Sequence, residues 1–161
     1  MKPAGPAEFA PLVARFLELE EVRAASGLLL FYGVENEPDT RPLLRELLAG
    51  GKRVALPRCL PGNGMEARWI ADLEGLVPGK WGIPEPDGDA PLAGKEELDV
   101  ILVPNLCCDR QGYRLGHGGG YYDRYLADYR GFTVALCPEG RLMDALPRER
   151  HDRPVDRVIF R

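Results

Sequence analysis

Between positions 103 and 126 the chain reads Val-Pro-Asn-Leu-Cys-Cys-Asp-Arg-Gln-Gly-Tyr-Arg-Leu-Gly-His-Gly-Gly-Gly-Tyr-Tyr-Asp-Arg-Tyr-Leu. Glycines at 116, 118, 119 and 120 permit backbone conformations and close approaches that a Cβ would forbid. Arg114 and Arg124 flank them with positive charge, and Asp109 and Asp123 are carboxylates able to hold a cation. Free backbone N–H groups aimed at one point between a strand and a helix start favour an anion there. A loop of this content suits a polyphosphate and its metal. It is not a Walker loop, which needs Gly-Lys followed by Ser or Thr, and it is not a dinucleotide fingerprint, because Tyr121 stands where the third glycine belongs. Glycines alone would fit a tight strand-to-helix connection with no ligand equally well.

The elements that must position this loop are legible on either side of it. Val100 to Val103 is short, β-branched and bounded by charge and Pro104, as a buried strand should be. Tyr121 to Tyr129 carries apolar and aromatic residues at helical spacing, with Gly131 as a stop. Upstream, residues 1–7 are polar, proline-rich and expected to be loose. Phe9, Leu12, Val13, Phe16 and Leu17 follow the i, i+3, i+4, i+7 rule of an amphipathic helix ending near Gly27. Leu28 to Tyr32 reads as a buried strand. Asp39 or Thr40 can cap a helix over Arg41 to Ala49, with Pro42 in its first turn and Gly50-Gly51 closing it. Strands are expected at Arg53 to Pro57, Met65 to Ile70, Phe132 to Cys137 and Arg157 to Phe160, with a short helical turn at Leu142 to Leu146. The Pro- and Gly-rich segment from Val77 to Pro86, which contains Trp81, has the content of a binding-loop wall, and residues 87–97 that of a surface turn.

Alternating strands and helices with short connections predict an α/β three-layer sandwich around a mostly parallel sheet, one domain over residues 1–161. Ligands on such sheets bind beyond the carboxyl ends of the strands. Tyr32, Glu37, the glycine loop and the His151-Asp152 segment all come after expected strand ends, so one cleft can collect them.

With 161 residues, 45% apolar and 29% charged, the chain is an ordinary soluble composition, and a net charge of −4 argues against a nucleic-acid surface. The longest mostly apolar segment, Ala24 to Val34, is too short for a bilayer. Cys59, Cys107, Cys108 and Cys137 form no Cys-x-x-Cys pair, and neither His117 nor His151 has metal-ligand spacing to them. Small buried thiols in a reduced protein are the expectation. With no signal-peptide pattern at the N-terminus, a cytoplasmic location is expected, with no membrane, nucleic-acid or obligate protein partner.

Arg-Leu-Gly-His-Gly-Gly-Gly-Tyr-Tyr-Asp-Arg-Tyr-Leu, preceded by Val-Pro-x-Leu-x-x-Asp-x-x-Gly, resembles the signature of the 5-formyltetrahydrofolate cyclo-ligase (methenyltetrahydrofolate synthetase) family. The resemblance implies an enzyme that uses ATP and Mg²⁺ to close 5-formyltetrahydrofolate to 5,10-methenyltetrahydrofolate. It places Arg114, Leu115, Gly116, His117, Gly118, Gly119, Gly120, Tyr121 and Tyr122 on ATP, with Arg114 and Tyr121 as catalytic residues. It places Asp123 and Asp152 on the metal. Tyr32, Glu37 (in Glu-Pro-Asp-Thr), Trp81 (in Trp-x-Ile-Pro-x-Pro) and residues His117 to Tyr121 fall on the folate.

Members of that family usually begin with an extra helix bearing a Lys-x-x-x-Arg pattern that reaches the ATP phosphates. Here the chain starts almost at the next helix, Lys2 and Arg15 do not reproduce that spacing, and Lys52, Lys80 and Arg58 are the candidate substitutes. The alternative reading is then a non-catalytic relative that binds folate or nucleotide.

Overall fold

The computed structural model describes residues 5–116, 119–148 and 152–161. The chain opens with α1 (Pro6–Glu18), whose Pro6 occupies a first-turn position that needs no N–H donor. Helix α2 (Glu20–Ala24) comes after Leu19, which leaves the helix with φ −60° and ψ 135°. The sequence pattern predicts one continuous helix to Gly27. The break at Leu19 instead lets both Leu19 and the buried Val22 reach the core. The expectation of a loose start fails at Pro6 and Ala7, which are already helical, and for residues 1–4 it lies outside the described residues.

Strand β1 (Gly27–Leu29) leads to α3 (Arg41–Ala49), bounded as the sequence implies. Then come β2 (Arg53–Leu60) and β3 (Gly64–Ile70), joined by a tight turn at Pro61–Asn63 in which Gly62 and Asn63 take positive φ. The Pro/Gly-rich segment is a small antiparallel ladder of β4 (Val77–Pro78) and β5 (Pro84–Glu85), and β6 (Leu92–Ala93) adds an edge to β3. The remaining elements are β7 (Val100–Leu102), β8 (Cys107–Asp109), β9 (Arg114–Leu115), α4 (Tyr121–Leu126), β10 (Phe132–Leu136), β11 (Leu142–Met143) and β12 (Arg157–Ile159).

The main sheet runs β12-β10-β7-β1-β2-β3-β6, parallel from β12 through β2 and antiparallel beyond. Strand residues alternate between two buried faces, as the two-residue period of a strand requires. Leu28, Leu30, Val54, Leu56, Val100, Leu102, Val134 and Leu136 face α1 and α3 through Phe9, Leu12, Phe16, Leu43, Leu44 and Leu47. Leu29, Ala55, Ile101, Val103, Ala135 and Cys137 face α4 and the turn after it through Tyr125, Leu126 and Tyr129. Both faces being covered explains why these strands read as unbroken apolar runs. The result is the three-layer, mostly parallel α/β sandwich that the sequence predicts.

Two local expectations fail. Leu142 to Leu146 is not helical: the single turn lies at Glu139–Arg141, and Leu142–Met143 is extended because it pairs with Cys108–Asp109 in a second sheet, β11-β8-β9. Helix α4 stops at Leu126, with Tyr129 turned into the second core face, where its hydroxyl donates to the Leu98 carbonyl at 2.7 Å. Cys107, Cys108 and Cys137 are buried free thiols, as expected. No helix among the described residues is long and apolar enough to cross a membrane.

The outermost parallel strand is held by a reciprocal pair. Asp156 Oδ2 accepts from Thr133 N at 2.9 Å and from Thr133 Oγ1 at 3.2 Å, while Asp156 N donates to Thr133 Oγ1 at 2.9 Å. Asp156→Ala is expected to cost about 1.5 kcal/mol, since it removes a charged acceptor from a buried threonine. A urea midpoint unchanged by the substitution would show that the pair holds nothing.

Candidate functional site

The carboxyl ends of the parallel strands open onto a cleft of about 480 Å³, a size suited to a small-molecule ligand. Strand β1 runs out into Phe31 and Tyr32, and the turn before α3 adds Glu37. Strand β2 contributes Pro57 and Cys59, and the β4–β5 ladder contributes Lys80, Trp81 and Glu85. The far wall is the glycine loop: Arg114, Leu115, Gly116, Gly119, Gly120, Tyr121, Tyr122 and Asp123, with Asp152 beside it. Every described residue that the sequence reading assigns to ATP, folate or metal therefore lines this one cleft. His117, Gly118 and His151 lie outside the described residues.

The turn that carries Glu37 is stapled by a buried hydroxyl. Thr40 Oγ1 donates to the Phe31 carbonyl at 2.7 Å and accepts from Gly33 N at 2.9 Å. Thr40 is therefore not a side-chain cap for α3; Asp39 Oδ1 takes the Arg41 N–H instead, at 3.1 Å. Glu37 Oε1 accepts from Val34 N at 2.9 Å, which fixes its carboxylate over the strand end.

On the loop side, the Arg114 side chain is only 6% exposed, yet it borders the cleft. Its guanidinium donates to the Pro104 carbonyl and to Asp123 Oδ1, each at 3.2 Å. Burial pulls its pKa down while Asp123 pulls it up, but a guanidinium keeps its proton at any physiological pH. The outcome is a buried cation with donors aimed at the loop. Gly120 sits at φ 71°, a left-handed conformation that lets the chain turn into α4 without a Cβ penalty. The Tyr122 hydroxyl is buried beside Arg114 and has no hydrogen-bond partner among the described residues, and burial holds it protonated well above a normal phenol. A buried donor without a partner on a cleft wall is a group available to a ligand.

Lys80 is only one of three candidate cations in the sequence, and the structure separates them. Lys80 lies in the cleft, where its ammonium contacts the Tyr121 hydroxyl and stands 4.6 Å from the Trp81 ring centroid. Lys52 instead donates to the Arg23 and Ala25 carbonyls at the end of α2, and Arg58 pairs with Glu66 on β3. Trp81 is 75% exposed and held at φ 58°, so its ring lies at the cleft rim, largely open to solvent, rather than packed in a core. Asn63, which accepts from the Tyr121 hydroxyl at 3.2 Å, and Cys59 and Glu85 carry no sequence signal that ties them to the site.

Asp109 does not hold a cation, contrary to the expectation from its residue type. It is fully buried, and its two oxygens already accept from three backbone N–H groups and Arg148, which leaves no place for one.

Cys59 is the cleft's thiol. Burial and the neighbouring Glu85 carboxylate push its pKa up to about 11. At pH 8 iodoacetamide should alkylate it about a hundredfold more slowly than a free thiol, because so little thiolate is present. Modification at the ordinary rate, followed by mass spectrometry, would contradict that environment.

Fold and site together define an α/β ligand-binding protein whose cleft, at the carboxyl ends of a parallel sheet, sets a buried arginine and a glycine loop against an aromatic rim. The model of the 5-formyltetrahydrofolate cyclo-ligase family matches residues 2–161. The chain is 34% identical over 155 residues to the 5-formyltetrahydrofolate cyclo-ligase of Escherichia coli, covering 90% of this chain and 83% of that one. It is 38% identical over 133 residues to that of Mycolicibacterium smegmatis, covering 78% and 69%. The Aquifex aeolicus 5,10-methenyltetrahydrofolate synthetase structure superposes with a TM-score of 0.84 at 30% identity, covering 96% of this chain and 78% of that one. The chain belongs to the 5-formyltetrahydrofolate cyclo-ligase family, a family of ligases.

Proposed function

We propose that this protein catalyses the ATP- and Mg²⁺-dependent cyclisation of 5-formyltetrahydrofolate to 5,10-methenyltetrahydrofolate. The observation that carries this reading is the convergence on one cleft of Arg114, the glycine loop, Glu37 and the Trp81 rim in a chain of this family.

The chemistry that the family resemblance implies can be stated physically. A formyl group on nitrogen is an amide, hence a poor electrophile. Transfer of the ATP γ-phosphoryl group to its oxygen releases ADP and gives an iminium phosphate; the 10-position nitrogen adds to its carbon and gives up its proton to solvent, and breaking of the C–O bond expels phosphate and leaves the methenyl ring. Such a sequence asks the protein for position and charge neutralisation rather than for a strong base. The Arg114 fork and the backbone N–H groups of the glycine loop would hold the phosphates, charge-assisted in a largely water-excluded wall. The Tyr121 and Tyr122 hydroxyls and Lys80 would add donors around the transferring group. The Trp81 face suits a flat heterocycle, and Glu37 offers a carboxylate to its N–H groups.

The donor set also fits a divalent cation. Among the described residues, four carboxylates, Glu37, Glu85, Asp123 and Asp152, line the cleft against two cations, Lys80 and Arg114, so a nucleotide polyanion would be repelled there without a metal. Asp123 is 75% exposed with one oxygen on Arg114. No cluster of three or more ligating side chains exists among the described residues. That suits Mg²⁺, which prefers one or two carboxylates plus water and phosphate oxygens. Asp123 and Asp152 would hold it. When bound, it would neutralise charge on the phosphate oxygens.

The test is the near-ultraviolet absorbance of purified protein with 5-formyltetrahydrofolate, ATP and Mg²⁺. Appearance of the methenyl chromophore only when all three are present supports the reading. No chromophore, from protein that still binds ATP or folate calorimetrically, overturns it in favour of a non-catalytic binding relative.

A further inference from the structure

We propose that Asp109 is a positioning residue for Asp152: a buried carboxylate that ties the segment bearing Asp152 to the hairpin bearing Arg114. The proposal rests on the metal-binding reading of Asp152 given above.

The hairpin β8–β9 turns at residues 110–113, and its outgoing strand delivers Arg114, Leu115 and Gly116 to the cleft. One oxygen of Asp109 closes that turn: Oδ1 accepts from Gln111 N at 2.9 Å and from Tyr113 N at 3.0 Å. That alone would account for an aspartate at this position. The second oxygen does something else. Oδ2 accepts from Leu146 N at 3.1 Å and from Arg148 Nη2 at 3.2 Å, both on a segment far away in sequence. Arg148 then lies flat on the hairpin, its guanidinium carbon 3.8 Å from the Tyr113 ring centroid and its donors also on the Gln111 side chain.

Past Asp152 the same hairpin takes hold again, because Val155 N donates to the Gly112 carbonyl at 2.8 Å. Pro147 and Asp152, both on the cleft, are thus flanked by attachments to one turn, at Leu146 and Arg148 on one side and at Val155 on the other; residues 149–151 lie outside the described residues. Arg114 and Asp152 approach the cleft from elements that share this anchor. A fully buried carboxylate with both oxygens doubly occupied makes it stiff, and partners of this kind, though they touch no metal, set the orientation of those that do.

Asp109→Asn separates the two halves of the device. The amide oxygen can keep the local Gln111 and Tyr113 donors, while the amide nitrogen then meets Leu146 N–H and Arg148, donor against donor. Calorimetry of ATP binding against Mg²⁺ concentration reads the consequence without reliance on turnover. Asp109→Asn is expected to raise the half-saturating Mg²⁺ about tenfold, and Asp152→Asn to raise it similarly. The double variant should be no worse than Asp152→Asn alone, because one residue acts through the other. Hydrogen exchange should quicken at the Leu146 amide.

Arg148→Gln, which leaves the carboxylate in place, should shift Mg²⁺ in the same direction by a smaller factor; it serves if Asp109→Asn does not fold. Multiplicative effects in the double variant, or an unchanged Mg²⁺ requirement in Asp109→Asn and Arg148→Gln, would overturn the proposal while leaving the metal role of Asp152 intact. An unchanged requirement in Asp152→Asn would instead remove that metal role, and the proposal with it.

Discussion

Arg114→Met is expected to lower kcat/KM for the proposed ATP-dependent cyclisation about a thousandfold, most of it in kcat, while the folded protein survives. The guanidinium is the cation buried in the loop wall of the cleft, and its fork spans the Pro104 carbonyl and Asp123. On the proposed reading, charge developing on a transferring phosphoryl group would meet it in a poorly solvated setting, where a fixed cation is worth far more than in water. Methionine fills a similar volume without leaving a charge behind. Asp123, the partner deprived of its ion pair, is mostly exposed and can be solvated, so stability should change by only about 1 kcal/mol. Arg114→Lys should recover little, because a point charge on a flexible stem cannot reproduce both contacts. Steady-state kinetics together with a urea midpoint separate the outcomes. A variant whose kcat stays within about threefold of the parent would remove Arg114 from the phosphoryl-transfer role assigned by that electrostatic argument.

The parallel sheet is readable in the sequence because its strands are buried on both faces: Leu28 to Leu30, Val100 to Val103 and Thr133 to Leu136 run with no charged residue, and both of their faces meet core. Helix α3 is readable to the residue, since Pro42 and Gly50 punctuate it. The small elements are not. Leu142–Met143 is a strand only because it finds Cys108–Asp109, which pairs on its other side with Arg114–Leu115, and such short segments carry no period that announces a partner so distant in sequence. For the same reason Asp109 resembles a cation ligand when only its residue type is known. Burial and four donors, two of them from the far end of the chain, remove that chemistry. Lys80 is the opposite case, ordinary in sequence and placed in the cleft by the β4–β5 ladder. The glycine loop itself is legible as a ligand loop only through its whole pattern, because glycines alone cannot distinguish a phosphate cradle from a turn.

Gly33→Ala is expected to destabilise the fold by about 3 kcal/mol and to raise KM for the folate about tenfold or more, a large response to one methyl group. A Cβ at Gly33 would fall 1.7 Å from the Pro38 carbonyl oxygen and 2.9 Å from its carbon, contacts with backbone rather than with a side chain that can swing away. Nor can the backbone yield cheaply. Gly33 N is bonded to Thr40 Oγ1, Thr40 Oγ1 to the Phe31 carbonyl, and Thr40 is fully buried, so lifting Pro38 breaks a satisfied polar pair inside the protein. The same turn holds Glu37 through Val34, and Arg141 is tied to it by a 3.0 Å bond to the Asn36 carbonyl. Opening the turn therefore moves the carboxylate proposed to read the folate while leaving Arg114 and the glycine loop where they are. KM for ATP should change little. Gly140→Ala is the matched control: among the described residues, nothing beyond its own chain neighbours lies within 4 Å of its added Cβ, and its effect should stay within about 0.5 kcal/mol. If Gly33→Ala behaved like that control in both urea unfolding and folate KM, the turn would be soft, and Glu37 would not owe its position to the contact between Gly33 and Pro38.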